Sequence, residues 1–251
     1  MGRERIKFDL LIHDLKVPLA VMEAGITSLL NRREKYGDIT GQQEKVLKRV
    51  LRNNKVLKTL VNDALELGKS RQGIVNFSNL RLSSLIEEAL VEIFDLTHCN
   101  TSEEIRHCLE LKALKKILEG KGVLLVIDKG LWGQEVCLDA AKVRQVLRNL
   151  LNNALKYRKE RVELSVDKRD GYLIFSVKDD GEGIPSTYHE KIFECYFQMD
   201  ATENGCVRGH GLGLAGVMVL IEDMGGRLFL ESGEGKGAKF LVEVPLRANG
   251  H

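Results

Sequence analysis

The apolar positions near the start of the chain fall at Phe8, Ile12, Leu15, Leu19, Met22, Ile26 and Leu29, in alternating steps of four and three. That spacing is a heptad seam and predicts a helix. Arg32 and Arg33 stand at its end, and Tyr36 to Gly41 supply turn residues. A second seam follows at Val46, Val50, Asn53, Leu57, Leu60, Ala64 and Leu67, with Gly68 near its stop. Two heptad helices joined by a short loop predict an antiparallel hairpin. A lone hairpin cannot cover its apolar surface, so two hairpins are expected to pair into a four-helix bundle, with Asn53 as the polar residue that sets register.

The period changes after Gln72-Gly73. Asn79 to Leu82 reads as a strand, and Ser83 to Phe94 as an amphipathic helix capped by serine. Val123 to Ile127 and Glu135 to Leu138 read as strands, and Ala140 to Arg158 as a long helix. Strict alternation at Val162, Leu164, Val166 and again at Leu173, Phe175, Val177 marks two strands joined by Asp170-Gly171. Gly211 to Met224 is helical in pattern and stops at Gly225-Gly226. Leu228 and Leu230, then Phe240, Val242 and Val244, alternate once more. The expected fold is α+β: a helical segment at 1–72, then at 73–251 an α/β sandwich whose mixed sheet carries helices on one face.

Composition narrows the class. Hydrophobic residues make up 43% of the 251 and charged residues 29%, as in a globular protein with a real core. The formal charge of +2 calls for neither nucleic acid nor a membrane surface. Three prolines leave no room for long disordered linkers, and no run of roughly 20 apolar residues is present to span a bilayer. The cysteines, Cys99, Cys108, Cys137, Cys195 and Cys206, are odd in number and never form C-x-x-C, which fits a reducing compartment better than disulfides or zinc.

Four stretches carry candidate chemistry. The first is Ile12-His13-Asp14-Leu15-Lys16-Val17-Pro18. At 100° per residue His13 lies roughly 150° from the seam, so it is expected to face solvent, as an ordinary surface histidine also would. Pro18 inside a helix deletes a backbone hydrogen bond. The second is Asn149 to Tyr157, where Asn149 and Asn153 share a helix face with Lys156 and Tyr157 one turn on. Amide oxygens are hard ligands suited to Mg²⁺, and a nearby lysine neutralises phosphate. The third is Asp179-Asp180-Gly181-Glu182-Gly183-Ile184-Pro185 at a strand end, where a carboxylate can accept a hydrogen bond from an exocyclic amine and glycines admit a close ligand. The fourth is Gly209-His210-Gly211-Leu212-Gly213-Leu214 ahead of a helix, an anion cradle of backbone N–H groups.

In this order the stretches resemble the sensor histidine kinases of two-component systems, over nearly the whole chain. His13 to Leu19 looks like the H box, Asn149 to Tyr157 the N box, and Asp179 to Pro185 the G1 box. Ile192 to Phe197 is similar to the F box, Gly209 to Leu214 to the G2 box, and Gly233 to Phe240 to the closing glycine motif. The resemblance implies that 1–72 dimerises and accepts phosphate, that 73–251 binds ATP, and that His13 is the phosphoacceptor with Asp14 holding its Nδ1 proton. It implies Asp179 on the adenine amino group, with Gly181, Gly183 and Ile184 beside it. Asn153 would ligate Mg²⁺ with Asn149 assisting, and Lys156 and Tyr157 would line the nucleotide. Arg208, Gly209, Gly211, Leu212 and Gly213 would cradle the phosphates behind a short lid at 199–208. The implied partners are a second copy of the chain and a response-regulator receiver domain. The implied location is cytoplasmic, as a free protein or as part of a membrane-bound sensor. The alternatives are a degenerate kinase serving as a phosphorelay or binding scaffold, and a clamp-type ATPase of the same superfamily.

Three features depart from the family pattern. Val17, four residues after His13, stands where many relatives have Thr or Asn, which predicts weak dephosphorylation of the regulator. Gln198 stands where an arginine often touches the γ-phosphate, and Arg208 is the expected substitute. Residues 97–121 exceed the usual length; Thr101 to Glu104 reads as a capping box ahead of one extra helix from Ile105 to Leu118, either a decoration of the surface or a regulatory or partner-docking element.

Overall fold

The structure is a computed structural model that describes residues 2–70, 75–97, 99–108, 110–194, 197 and 213–247; for 2–13, 55, 56, 59, 60, 62–70, 96, 97 and 99 it describes the backbone alone. The chain divides into two compact units, residues 1–72 and 73–251.

The first unit is a helical hairpin. Helix α1 (Gly2–Asn31) runs through Pro18 and is followed by a single turn, α2 (Arg33–Tyr36), and by α3 (Gly41–Ser70). Thr40 and Gln43 start α3 with a reciprocal capping box: Gln43 donates its N–H to the Thr40 hydroxyl at 3.2 Å, and Thr40 donates its own to Gln43 Oε1 at 2.8 Å. Two orphan donors are satisfied at once, which fixes where the second helix begins. Lys58 pairs with Glu23 across the hairpin at 2.9 Å. Asn53 is exposed in the single chain, as its seam neighbours Val50 and Leu57 are. Its neighbour Asn54 is 3% exposed and donates from Nδ2 to the Leu19 carbonyl at 2.9 Å. A shift of one residue rotates a helical side chain by about 100°, so Asn54 meets α1 within the hairpin while Asn53 keeps the phase of Val50 and Leu57.

The second unit begins with β1 (Ser78–Arg81) and α4 (Leu82–Thr97). Helix α4 starts directly at Leu82, so Ser83 and Ser84 lie in its first turn rather than ahead of it. Next come α5 (Cys99–Arg106), α6 (Leu111–Glu119), β2 (Val123–Ile127), α7 (Lys129–Trp132) and β3 (Glu135–Leu138). The chain closes with α8 (Ala140–Tyr157), β4 (Val162–Arg169), β5 (Tyr172–Asp179), α9 (Gly213–Asp223), β6 (Arg227–Ser232) and β7 (Ala238–Pro245). Strands β1 and β3 form a small antiparallel pair, and the main sheet has the order β2-β4-β5-β7-β6. Its β2–β4 pairing is parallel and the remaining pairings are antiparallel, so the sheet is mixed and the fold is α+β.

Alternation along β4, β5 and β7 sends Val162, Leu164, Leu173, Phe175, Val177, Phe240 and Val242 to the helix side, where all are buried against residues such as Leu150, Leu151 and Val217. The β4–β5 turn has positive φ at both Asp170 (50°) and Gly171 (81°), the geometry of a two-residue hairpin matched to strand twist. Asp139 caps α8, accepting from the Lys142 N–H at 3.1 Å with one oxygen and from the Asn76 N–H at 2.9 Å with the other. A half-buried ion pair, Lys142 to Asp223 at 2.7 Å, ties the start of α8 to the end of α9.

The segment 97–121 differs from its expectation. It is not one helix but two, α5 ending at Arg106 and α6 starting at Leu111, and Thr101 and Ser102 are buried inside α5 rather than capping it. Nor does it decorate the surface. Ile105, Leu114 and Leu118 are all 2% exposed or less and belong to the main core.

Candidate active site

The site is built from the end of β5, one face of α8 and the start of α9. The inward parity of β5 (Leu173, Phe175, Val177) carries on to Asp179, so a carboxylate arrives at a position that alternation reserves for burial, and it is 7% exposed. Its Oδ1 accepts from the Gly181 N–H at 2.9 Å and from the Ala238 N–H at 3.4 Å. Burial pushes the Asp179 carboxyl above the ordinary range; the two N–H groups pull it down, and neighbouring Asp180 adds to the rise. Asp180 has the opposite role. It gathers the backbone N–H groups of Lys159, Glu160 and Arg161 at 2.9 to 3.2 Å, which pins the loop after α8 beside Asp179. Burial works against its charge, but those donors outweigh it and hold its carboxyl below the usual range.

The glycines after Asp179 serve close backbone packing. A Cβ on Gly181 would lie 2.4 Å from the Tyr157 carbonyl oxygen, and one on Gly183 (φ +79°) would lie 2.0 Å from that of Gly233. The loop 179–185 is therefore pressed between the end of α8 and the 233–237 turn, with Gly235 donating its N–H to the Glu182 carbonyl at 2.6 Å. The sequence suggests glycines that admit a ligand; here the loop's own neighbours make them necessary.

On α8, Asn149 donates from Nδ2 to the Gly213 carbonyl at 3.2 Å, linking this helix to the first residue of α9. Asn153 lies one turn on, half-buried. Lys156 and Tyr157 are exposed and hold each other, with Nζ 2.8 Å from the phenol oxygen and 4.4 Å from the ring centroid. Ile184 is half-buried, its N–H donated to the Ser232 hydroxyl at 2.8 Å. The F-box residues pack rather than react: Ile192 is buried and Phe193 meets Phe240 edge-on at 6.4 Å.

The structure thus brings together Asn149, Asn153, Lys156, Tyr157, Asp179, Gly181, Gly183, Ile184 and Gly213. Gln198, Arg208, Gly209, Gly211, Leu212 and the proposed lid at 199–208 lie outside the described residues, as do Cys195 and Cys206. His13 belongs to α1 by its backbone, while its side chain is outside the description; Asp14, Lys16 and Val17 are exposed. Two participants were missed in the sequence. Asp180 is hidden by the adjacency of two aspartates, and Ser232 by its place at the end of an edge strand, a position with no motif of its own.

Residues 138–248 match the family of histidine kinase-, DNA gyrase B- and HSP90-like ATPases. The second unit carries a domain of that family. Over nearly its whole length the chain is related to sensor histidine kinases. It is 29% identical over 261 residues to the sensor histidine kinase WalK of Bacillus subtilis, covering 98% of this chain and 38% of the relative. It is 30% identical over 240 residues to the circadian input-output histidine kinase CikA of Synechococcus elongatus, covering 93% of this chain and 29% of the relative. The chain thus spans about a third of the length of these relatives. Among solved structures, full-length ShkA in complex with AMPPNP matches 98% of this chain and 46% of its own, with a TM-score of 0.68 at 24% identity. The Acinetobacter baumannii histidine kinase AdeS matches 94% of this chain and 98% of its own, with a TM-score of 0.58 at 18% identity. These two likenesses concern the fold.

Proposed function

We propose that the protein transfers the γ-phosphoryl group of ATP to His13 and then to an aspartate of a response-regulator receiver domain. The observation that carries this reading is Asp179. Both hydrogen bonds given to it by the described residues fall on Oδ1, so its other oxygen is the acceptor available to the exocyclic amine of adenine. The relatives named as histidine kinases, and AMPPNP in ShkA, point to the same ligand.

In this reading Lys156 and Tyr157 line the open edge of the nucleotide site, and Gly213 with the preceding Gly209 to Leu212 faces the phosphates. Asn153, assisted by Asn149, offers an amide oxygen to Mg²⁺, which would neutralise phosphate charge. Asp14 holds the proton on Nδ1 of His13, and the Nε2 lone pair attacks the γ-phosphorus. The P–N bond forms as the bond to the ADP oxygen breaks. The second transfer breaks P–N and forms an acyl phosphate on the regulator.

Two chains act together through 1–72. Support comes from the apolar seam, where Leu15, Met22, Val46, Val50 and Leu57 are 43–53% exposed in the single chain. No helix among the described residues is long and apolar enough to cross a membrane, and a cytoplasmic site of action fits the ATP requirement. Val17 is 55% exposed and offers no hydrogen bond to orient a water, so Val17→Thr is expected to gain regulator dephosphorylation.

The test is incorporation of label from γ-labelled Mg-ATP into wild type and His13→Gln. Label that is acid-labile, alkali-stable and absent in the variant supports the kinase. Nucleotide binding without any label would sink it in favour of the scaffold reading.

A further inference from the structure

We infer that Ser232 is a positioning residue for the nucleotide, acting through the loop that carries Asp179; the inference rests on the nucleotide reading above. Ser232 ends β6, one residue ahead of the closing glycine motif, and its hydroxyl occupies the junction of two site segments. It accepts the Ile184 N–H at 2.8 Å and donates to the Gly237 carbonyl at 2.7 Å. On its far side, Ile184 is held by His189, whose ring Nε2 lies 2.9 Å from the Ile184 carbonyl oxygen and donates to it. Ile184 is therefore clamped at both of its backbone polar groups.

The other end of the chain of bonds reaches the adenine side. Gly237 sits so close to the end of β5 that a Cβ there would lie 2.0 Å from the Asp179 carbonyl oxygen, and its φ is +74°. The next N–H, that of Ala238, is directed at Asp179 Oδ1 at 3.4 Å. A single hydroxyl thus joins the exit of the 179–185 loop to the peptide that touches its entrance. Removing it orphans a half-buried N–H and a buried carbonyl together, and groups left unsatisfied in this way relax toward water. The motion available to them displaces Asp179 relative to Gly181, the geometry a bound base would read.

The experiment compares wild type, Ser232→Ala and Ser232→Thr in the full chain. Calorimetric titration with AMPPNP gives affinity, label incorporation gives KM and maximal rate for ATP, and melting gives stability. The expected result is about tenfold weaker AMPPNP binding in Ser232→Ala, from loss of one bifunctional hydroxyl. KM for ATP should rise by a similar factor while the rate at saturating ATP holds, and Ser232→Thr should restore affinity to within about twofold. Unchanged affinity in Ser232→Ala overturns the inference. So does equal weakening in both variants that tracks their melting, since that is loss of fold alone. Failure of the wild type to bind AMPPNP overturns the nucleotide reading and this inference with it; binding without label on His13 overturns the kinase reading and leaves the affinity comparison to decide this one.

Discussion

The hairpin and the α/β unit solve the burial problem in different ways. In the α/β unit, residues from α4, α5, α6, α8, α9 and the main sheet close on one another, and large side chains such as Phe175, Leu150, Ile86 and Leu118 are at most 1% exposed. Among the described side chains of the hairpin, Leu19 is the one buried apolar residue, and the buried position facing it is a polar one, Asn54. Among the described side chains the first unit leaves its apolar seam open, and the second closes around its core and around the Asp179 carboxylate.

The sharpest way to break this comparison is at Asp179. Its carboxyl is raised, chiefly by burial, so its folded pKa lies above the unfolded one. Its contribution to stability is then present below the unfolded value and is lost as pH rises through the folded value. Asp179→Asn keeps an acceptor for Gly181 and removes the charge. The expected outcome is loss of nucleotide affinity by about a hundredfold or more, together with a melting temperature at pH 7 that is equal or higher. A fall in both would mean that Asp179 supports the fold instead. For the same reason, nucleotide affinity of the wild type should decline on acidification from a pH above the ordinary aspartate range.

The open seam is the next place to press. Val50→Glu with Leu57→Glu should turn a dimer into monomers by sedimentation, and should remove the concentration-dependent melting transition while the transition of the α/β unit stays where it was. If the doubly substituted chain remains dimeric, another surface joins the copies. Gly183→Ala comes third. With φ at +79° and no room before the Gly233 carbonyl, it should cost about 2–4 kcal/mol, read as a lower denaturant midpoint for the α/β unit alone.

Asn54→Leu offers a smaller and opposite effect. Oδ1 of Asn54 is buried with no hydrogen-bond partner among the described residues, so an apolar replacement should stabilise the hairpin by about 1 kcal/mol and relax its register. Mixed oligomers by native mass spectrometry would reveal that relaxation. Least of all, Arg106→Ala severs exposed pairs to Asp95 and Glu103 and should leave the melting midpoint nearly unchanged. A larger loss would give the α4–α5 junction more weight than its exposed charges suggest.

Much of this architecture was written in the chain itself. Heptad steps marked the hairpin, alternation marked β4, β5 and β7, and the same alternation aimed Asp179 inward two residues after Val177. These signals are local: the side chains that define each period lie within a turn or a pleat of one another. Capping and breaks were less legible. The sequence offered Thr101 as a cap, yet the pressure to bury Ile105, Leu114 and Leu118 drew that segment into the core as two helices.

What tertiary structure alone decided depends on groups far apart in sequence. Asn54 rather than Asn53 is buried because Leu19, on the other helix, presents its carbonyl there. Gly183 and Gly237 must be glycines because the backbone of another segment lies where their side chains would be. Ser232 joined the site only when β6 placed its hydroxyl between Ile184 and Gly237. Periodicity tells which face of an element turns inward, but the atoms waiting on the other side are set by packing, and hydrogen-bonding groups acquire their roles from those atoms.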